Sequence, residues 1–149
     1  MPDRFAICEW EGDLLAGEGV VSTASGALQH ALVTFATRFQ NAPGTNPEEL
    51  IAAAHATCFN MALAEALAER KLRPRKLTTR ATVSIVREEA GWRITRSHLQ
   101  VEGQVPDLES TIFTDIARTA KERCPVSKAL HGNVEITLEA ALETMPMPS

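Results

Sequence analysis

Three cysteines, Cys8, Cys58 and Cys124, four histidines and a scatter of arginines are the groups in this chain whose types and spacing could do chemistry. Cys58 lies in Ala54-His55-Ala56-Thr57-Cys58-Phe59, within an alanine-rich stretch, and Cys124 stands directly before Pro125. An unpaired cysteine on a buried helix is ordinarily a small apolar filler, and spacing alone does not lift Cys58 above that reading. Cys124 is placed differently. Pro125 ends the preceding helix, the chain turns there, and the thiol need not be locked into a packed face. Such a position suits a mobile thiol that resolves an oxidised partner. Cys8, between Ile7 and Glu9 in a strand-like run, reads as structural.

A cysteine that attacks an O–O bond must do so as thiolate, yet a free thiol of pKa about 8.5 is only slightly ionised at neutral pH. A cation has to sit nearby. Lowering the pKa by one unit takes about 1.4 kcal/mol of differential stabilisation, within reach of one partly desolvated guanidinium. Arg38, in the loop Thr37-Arg38-Phe39 ahead of a helix start, is the candidate, and its plain alternative is a solvated arginine. Glu48 could hold it through a bidentate pair, although an acid in a first helical turn is favoured by the macrodipole in any case. On one straight helix, ten residues at ~1.5 Å rise put Glu48 roughly 15 Å from Cys58, too far to share a site. A helix packed antiparallel against its own copy brings Glu48 of one chain toward Cys58 of the other. The expectation is therefore an interfacial site in a homodimer.

The elements that must position these groups read as follows. Phe5 to Trp10, Gly19 to Ser22 and Ala31 to Phe35 are short strand candidates, with Glu11-Gly12-Asp13 as turn chemistry. Asn46 as N-cap, Pro47 at the first helical position and Glu49 closing a capping-box-like arrangement start a helix from Glu48 to about Arg70. Apolar residues on nearly every side mark it as a buried central helix. Arg70, Lys71 and Pro74 signal its end. Leu77 to Val86 and Trp92 to Val101 form the best hairpin in the chain. A second helix runs from about Glu109 to Arg123, with Ile112, Phe113, Ile116 and Ala120 on one face. Val126 to Leu130 gives another helical turn, Val134 to Leu142 a closing strand, and Thr144 to Ser149 a frayed tail. Strands, helix, strands, helix and strand argue α+β with antiparallel sheets rather than βαβ crossovers.

Composition sets the outer limits. At 149 residues, with 44% hydrophobic and 23% charged residues, the chain suits a single folded domain. The net charge of −4, with basic residues not gathered into one patch, argues against nucleic acid or an anionic membrane as partner. The longest apolar stretch, Leu50 to Ala68, is interrupted by His55, Thr57, Asn60 and Glu65 and reads as too polar to span a bilayer. No secretory signal precedes Trp10, so the cytoplasm is the expected compartment. An odd number of cysteines there points to reactive or ligating thiols rather than structural disulfides.

Several runs together resemble a known family: Trp10-Glu11-Gly12-Asp13, Gly19-Val20-Val21-Ser22-Thr23, Thr37-Arg38-Phe39, Gly44-Thr45-Asn46-Pro47-Glu48-Glu49-Leu50-Ile51, His55-Ala56-Thr57-Cys58-Phe59 and Cys124-Pro125-Val126-Ser127. From Phe5 to Leu142, in order, the chain resembles the OsmC/Ohr family, and an arginine in a TRF loop before GTNPEEL resembles its OsmC branch. The resemblance implies an OsmC-like intertwined homodimer, with antiparallel sheets wrapped around long central helices and two sites at the interface. It implies reduction of organic hydroperoxides: Cys58 attacks, Arg38 and Glu48 orient the thiolate and polarise the O–O bond, and Cys124 condenses with the sulfenic acid. No bound cofactor is implied, the reductant being a lipoyl-type dithiol, free or on a protein. Thr57 and Ala36 depart from the family pattern, where Ala and Asn are common.

Two other chemistries use the same residues. His55, Cys58 and Cys124 could supply a zinc triad, since His-x2-Cys puts two ligands on one helix face, although no paired ligand adjoins Cys124. A cysteine hydrolase with His55 or His131 as base would need an oxyanion hole for which the sequence offers no cue.

Overall fold

The computed structural model describes residues 2–143, so the expectation for the Thr144–Ser149 tail lies outside the described residues. The described residues are taken in two compact units that divide at Leu50.

The first unit begins where the Gly12 signal indicates a turn. Gly12 takes φ +92°, Asp13 Oδ1 accepts the Ala16 N–H at 2.7 Å, and the Asp13 carbonyl accepts the Gly17 N–H at 2.8 Å. This turn joins β1 (Ala6–Glu11) to β2 (Glu18–Thr23), and β3 (Ala31–Val33) pairs with the other edge of β2. The sheet is antiparallel, in the order β1-β2-β3. Every residue of β1 is exposed, and so are the large side chains of Phe5, Ile7 and Trp10.

Arg38 does not lie in a loop. It sits on a five-residue helix, α1 (Phe35–Phe39), which begins where a strand end is expected. The cause is a local capping box. Thr34 Oγ1 accepts the Thr37 N–H at 3.1 Å, and Thr37 Oγ1 accepts the Thr34 N–H at 2.9 Å.

The long helix α2 (Pro47–Glu69) starts at the predicted cap, Asn46 Oδ1 accepting the Glu49 N–H at 2.8 Å. By length and composition α2 is apolar enough to cross a membrane, which corrects the expectation that it is too polar. One face of it lies in the core of the second unit: His55, Phe59, Leu63, Ala66 and Leu67 are buried. The opposite face, with Ala53, Ala54, Thr57 and Met61, is exposed, so the helix is buried on one side rather than all round.

The second unit's sheet runs in the order β4-β5-β6, from β4 (Lys76–Glu88), β5 (Gly91–Gln104) and β6 (Glu135–Leu142). The hairpin β4–β5 is antiparallel, as expected and longer. The closing strand is not: β6 pairs with β5 in parallel. Between them run α3 (Ser110–Arg123) and α4 (Pro125–Leu130), so this part of the chain is a strand–helix–strand crossover inside an α+β fold. A parallel neighbour needs such a long connection to bring the chain back to the same sheet end. Alternation along β5 turns Ser97, Leu99, Val101 and Gly103 inward. α3 meets them with Phe113, Ile116, Ala117 and Ala120, whereas Ile112, expected on that face, is exposed. A Cβ on Gly103 would lie 2.6 Å from Cζ of Phe113, so the absence of a side chain there lets the aromatic ring close on the sheet. Burying a side chain such as Phe113 or Leu99 contributes about 1.5–3 kcal/mol.

The turn from α2 to β4 corrects a further expectation. Arg70, Lys71, Arg73, Arg75 and Lys76 are exposed cations gathered in one run at the helix C-terminus, where the macrodipole favours them. The helix ends in a Schellman arrangement, with the Leu72 N–H donating to the Leu67 carbonyl at 2.9 Å and the Lys71 N–H to the Ala68 carbonyl at 2.9 Å. Lys71 occupies the left-handed position at φ +59°, which glycine adopts without steric cost. Lys71→Gly is expected to stabilise the protein by about 0.5–1 kcal/mol, read as a higher urea midpoint at unchanged slope.

Candidate active site

Around Arg38 the sequence Gly44-Thr45-Asn46-Pro47-Glu48-Glu49 acts as a bracket in which each residue type has a contact. Gly44 has φ +144°, and a Cβ there would come within 2.6 Å of both the Leu32 carbonyl oxygen and Thr37 Cγ2. The Thr37 hydroxyl, buried, donates to the Thr45 carbonyl at 2.7 Å. The Asn46 side-chain amide donates to the Thr37 carbonyl at 3.0 Å while its oxygen caps α2. Glu49 does not close a capping box on Asn46; its carboxylate accepts the Thr45 hydroxyl at 2.8 Å. These bonds fix α1 against the start of α2. They leave Glu48, one residue beyond Pro47, facing Arg38.

The Arg38–Glu48 pair is bidentate: Nη2 to Oε1 at 2.8 Å, and Nε to Oε1 and Oε2 at 3.1 and 3.3 Å. The Glu48 side chain is 9% exposed and that of Arg38 34%. A carboxylate so buried fixes the guanidinium plane while its outer edge stays open to a ligand. The Phe39 ring lies beneath, 5.2 Å from Arg38 Cζ.

In the second unit, Cys58 and Cys124 come together. The Cys124 thiol and the Val126 N–H both lie close enough to the Cys58 sulfur to act on its protonation. Pro125 opens α4 and has no N–H, so Val126 supplies the first backbone donor after Cys124. Burial, the largest effect, pushes the Cys58 thiol up, the Val126 N–H works against it, and the adjacent Cys124 raises it further. These influences favour the protonated thiol. All three cysteines are free, with Cys58 partly exposed and Cys8 exposed on β1. Cys124 is fully buried, where a thiol not locked into a packed face is expected: it caps both the end of α3 and the start of α4 and stands beside Cys58.

His55, one turn before Cys58, is fully buried between two hydroxyls. Nδ1 lies 2.6 Å from Ser97 Oγ and Nε2 lies 2.8 Å from Ser127 Oγ. Both nitrogens are hydrogen-bonded to serine hydroxyls rather than to Cys58, so His55 is not placed as the base of that thiol. Among the described residues no three His, Cys, Asp or Glu side chains gather as a metal site, so the zinc triad of His55, Cys58 and Cys124 is not formed. His131 is exposed. Ser97 and Ser127 were not legible as site residues from their types. The one signal was a lone serine among the inward apolar positions of β5.

Burial lowers the pKa of His55 from its ordinary value of 6.5. Below pH 6.5 the unfolded chain therefore takes up a proton that the folded one does not, so this contribution to stability is complete above 6.5 and is lost as pH falls toward the folded value. Urea midpoints measured from about pH 8 down to about pH 5 are expected to drop more steeply for the unchanged protein than for His55→Gln.

The chain is similar to known proteins along most of its length. Residues 39–139 match the family described as OsmC-like protein. Peroxiredoxin OsmC of Escherichia coli (strain K12) is 46% identical over 135 residues, which cover 91% of this chain and 93% of that protein. Organic hydroperoxide resistance protein OhrB of Bacillus subtilis (strain 168) is 30% identical over 123 residues, 81% and 88% of the two chains. Among solved structures, an organic hydroperoxide resistance protein from Elizabethkingia anophelis superposes with a TM-score of 0.79 at 25% identity, over 96% of this chain and 98% of that one. The crystal structure of OhrB of Bacillus subtilis gives 0.72 at 30% identity, over 91% and 97%. With the α+β fold, the family match and the higher identity to OsmC than to OhrB in agreement, the chain belongs to the OsmC/Ohr family, in its OsmC branch.

Proposed function

We propose that this protein is a cysteine-based peroxidase that reduces organic hydroperoxides, and hydrogen peroxide more weakly, to alcohols and water. The observation that carries the reading is the contact between the Cys58 and Cys124 thiols, which sets a reactive sulfur beside one able to trap its oxidised form. The names of the relatives, peroxiredoxin and organic hydroperoxide resistance protein, support the same reaction class.

In the first step the Cys58 thiolate attacks the terminal oxygen of the hydroperoxide. An S–O bond forms, the O–O bond breaks, and the alkoxide leaves as alcohol after taking a proton. Sulfur is oxidised to sulfenic acid and the peroxide is reduced. Cys124 then attacks the Cys58 sulfur, an S–S bond forms, the S–O bond breaks, and water leaves. A lipoyl-type dithiol, as dihydrolipoamide or on a protein, returns both thiols by exchange and ends as its own cyclic disulfide. The cytoplasm, a reducing compartment, suits three free cysteines.

Because the surroundings of Cys58 in its own unit favour the thiol, the thiolate needs a cation. Arg38, with its plane fixed by Glu48, supplies it and polarises the O–O bond. The helical rise of α2 separates position 48 from position 58 by roughly 15 Å, so the Arg38–Glu48 pair of one copy serves Cys58 of the other in a homodimer. The exposed Ala53, Ala54, Thr57 and Met61 face of α2 and the uncovered β1 support such an assembly.

Stopped-flow oxidation by an alkyl hydroperoxide tests the assignment. Cys58→Ser is expected to abolish turnover, and Cys124→Ser to react once and accumulate sulfenic or sulfinic acid. Multiple turnover by Cys58→Ser with dihydrolipoamide would refute the reading. Arg38→Met is expected to move the pH midpoint of peroxide reaction upward and to slow it about 10²-fold at neutral pH. A fully active monomer at micromolar concentration would rule out the shared site.

A further inference from the structure

His55 takes no part in the bond-making steps above, yet both its nitrogens are committed and its partners Ser97 and Ser127 are themselves buried. A buried hydrogen-bonded group of this kind is often replaceable by apolar side chains of equal volume at little cost, so stability alone does not call for it. Its position does more. His55 precedes Cys58 on α2 by three residues, and Ser127 follows Cys124 by three, so the imidazole–hydroxyl bond ties α2 to α4 one turn away from the thiol contact. Ser97, on β5, holds the other nitrogen and so fixes the ring orientation and tautomer.

Cys124 and the Val126 N–H stand beside the Cys58 sulfur, and His55 Nε2 is hydrogen-bonded to Ser127 at 2.8 Å, so α2 meets the first turn of α4 both through the thiols and through this bond. Oxidation of Cys58 alters the surroundings of its sulfur, because the thiol proton is gone and an oxygen now occupies the sulfur. The His55–Ser127 bond is untouched. Disulfide closure needs the two Cβ atoms about 3.8 Å apart, a narrow geometric requirement. We infer that His55, oriented by Ser97 and bonded to Ser127, is a positioning residue that keeps α4 docked on α2 after Cys58 has been oxidised, and so sets the rate at which Cys124 resolves the sulfenic acid.

This inference rests on the peroxidase reading, and the test separates the two. Reduced protein is mixed with one equivalent of cumene hydroperoxide. Alcohol release reports the first step, and loss of sulfenic acid, trapped at intervals with a cyclic diketone, reports the second. Ser127→Ala is expected to leave the first phase within about twofold and to slow the second about tenfold, with more sulfinic acid at higher peroxide. Ser127→Thr, which keeps the hydroxyl, is expected to restore the second phase. Ser97→Ala removes the other hydrogen bond and slows the same phase, which keeps the inference testable if Ser127→Ala does not fold. A Ser127→Ala protein that resolves at the unchanged rate, or loses both phases equally, overturns the positioning role. Failure of the unchanged protein to form sulfenic acid at Cys58 overturns the peroxidase reading itself.

Discussion

The placement of α4 against α2 is the constraint on which the second unit's chemistry depends, and it is reached through a chain of packing steps. Gly103 has no side chain, so Phe113 closes on β5. Phe113, Ile116, Ala117 and Ala120 then seat α3 on the sheet, and α3 ends at Cys124 because Pro125 cannot continue the hydrogen-bond ladder. The next donor, Val126, meets the Cys58 sulfur, and Ser127 meets His55. Each step uses a residue whose size or donor content admits few substitutes, and Gly103, Phe113 and Ser127 among them are buried. Close-packed interiors respond to the change of a single methylene, so a core position such as Gly103 bears on thiols far from it in the chain.

The first unit solves a different problem with the same economy. A guanidinium is useful to an anion only if its plane is held, and a flexible arginine side chain loses about 2 kcal/mol of rotamer entropy on being held. Glu48 supplies the fork-on-fork contact, and the bracket of Thr34, Thr37, Thr45 and Asn46 fixes the backbone on either side. Most of that bracket is side chain to backbone. It therefore holds the backbone on either side of the arginine mainly through neutral side chains.

Much of this was legible in the sequence. The Asn46-Pro47 start of α2, the hairpin of β4 and β5 and the run of α3 follow from capping chemistry and periodicity, which are local. The pairing of Arg38 with Glu48 was legible as charge and spacing. What escaped is non-local or depends on backbone groups. A parallel β6 cannot be told from an antiparallel one by alternation, since both put every second residue inward. The helix around Arg38 is short and rests on threonines, which are weak helix formers away from caps. The buried state of Cys124 depends on how α3 docks, and the Val126 N–H has no residue type to announce it.

The first strand carries a consequence of its own. β1 is an edge strand of a three-stranded sheet, exposed along its whole length, with Ile7 and Trp10 bare and neither lysine nor proline within Ala6–Glu11 to discourage another strand from adding. Unpaired amides and carbonyls in that setting are a template for intermolecular β-addition. A copy whose β1 stays uncovered thus offers another chain a strand to pair with, opposed only by the charges of Glu9 and Glu11.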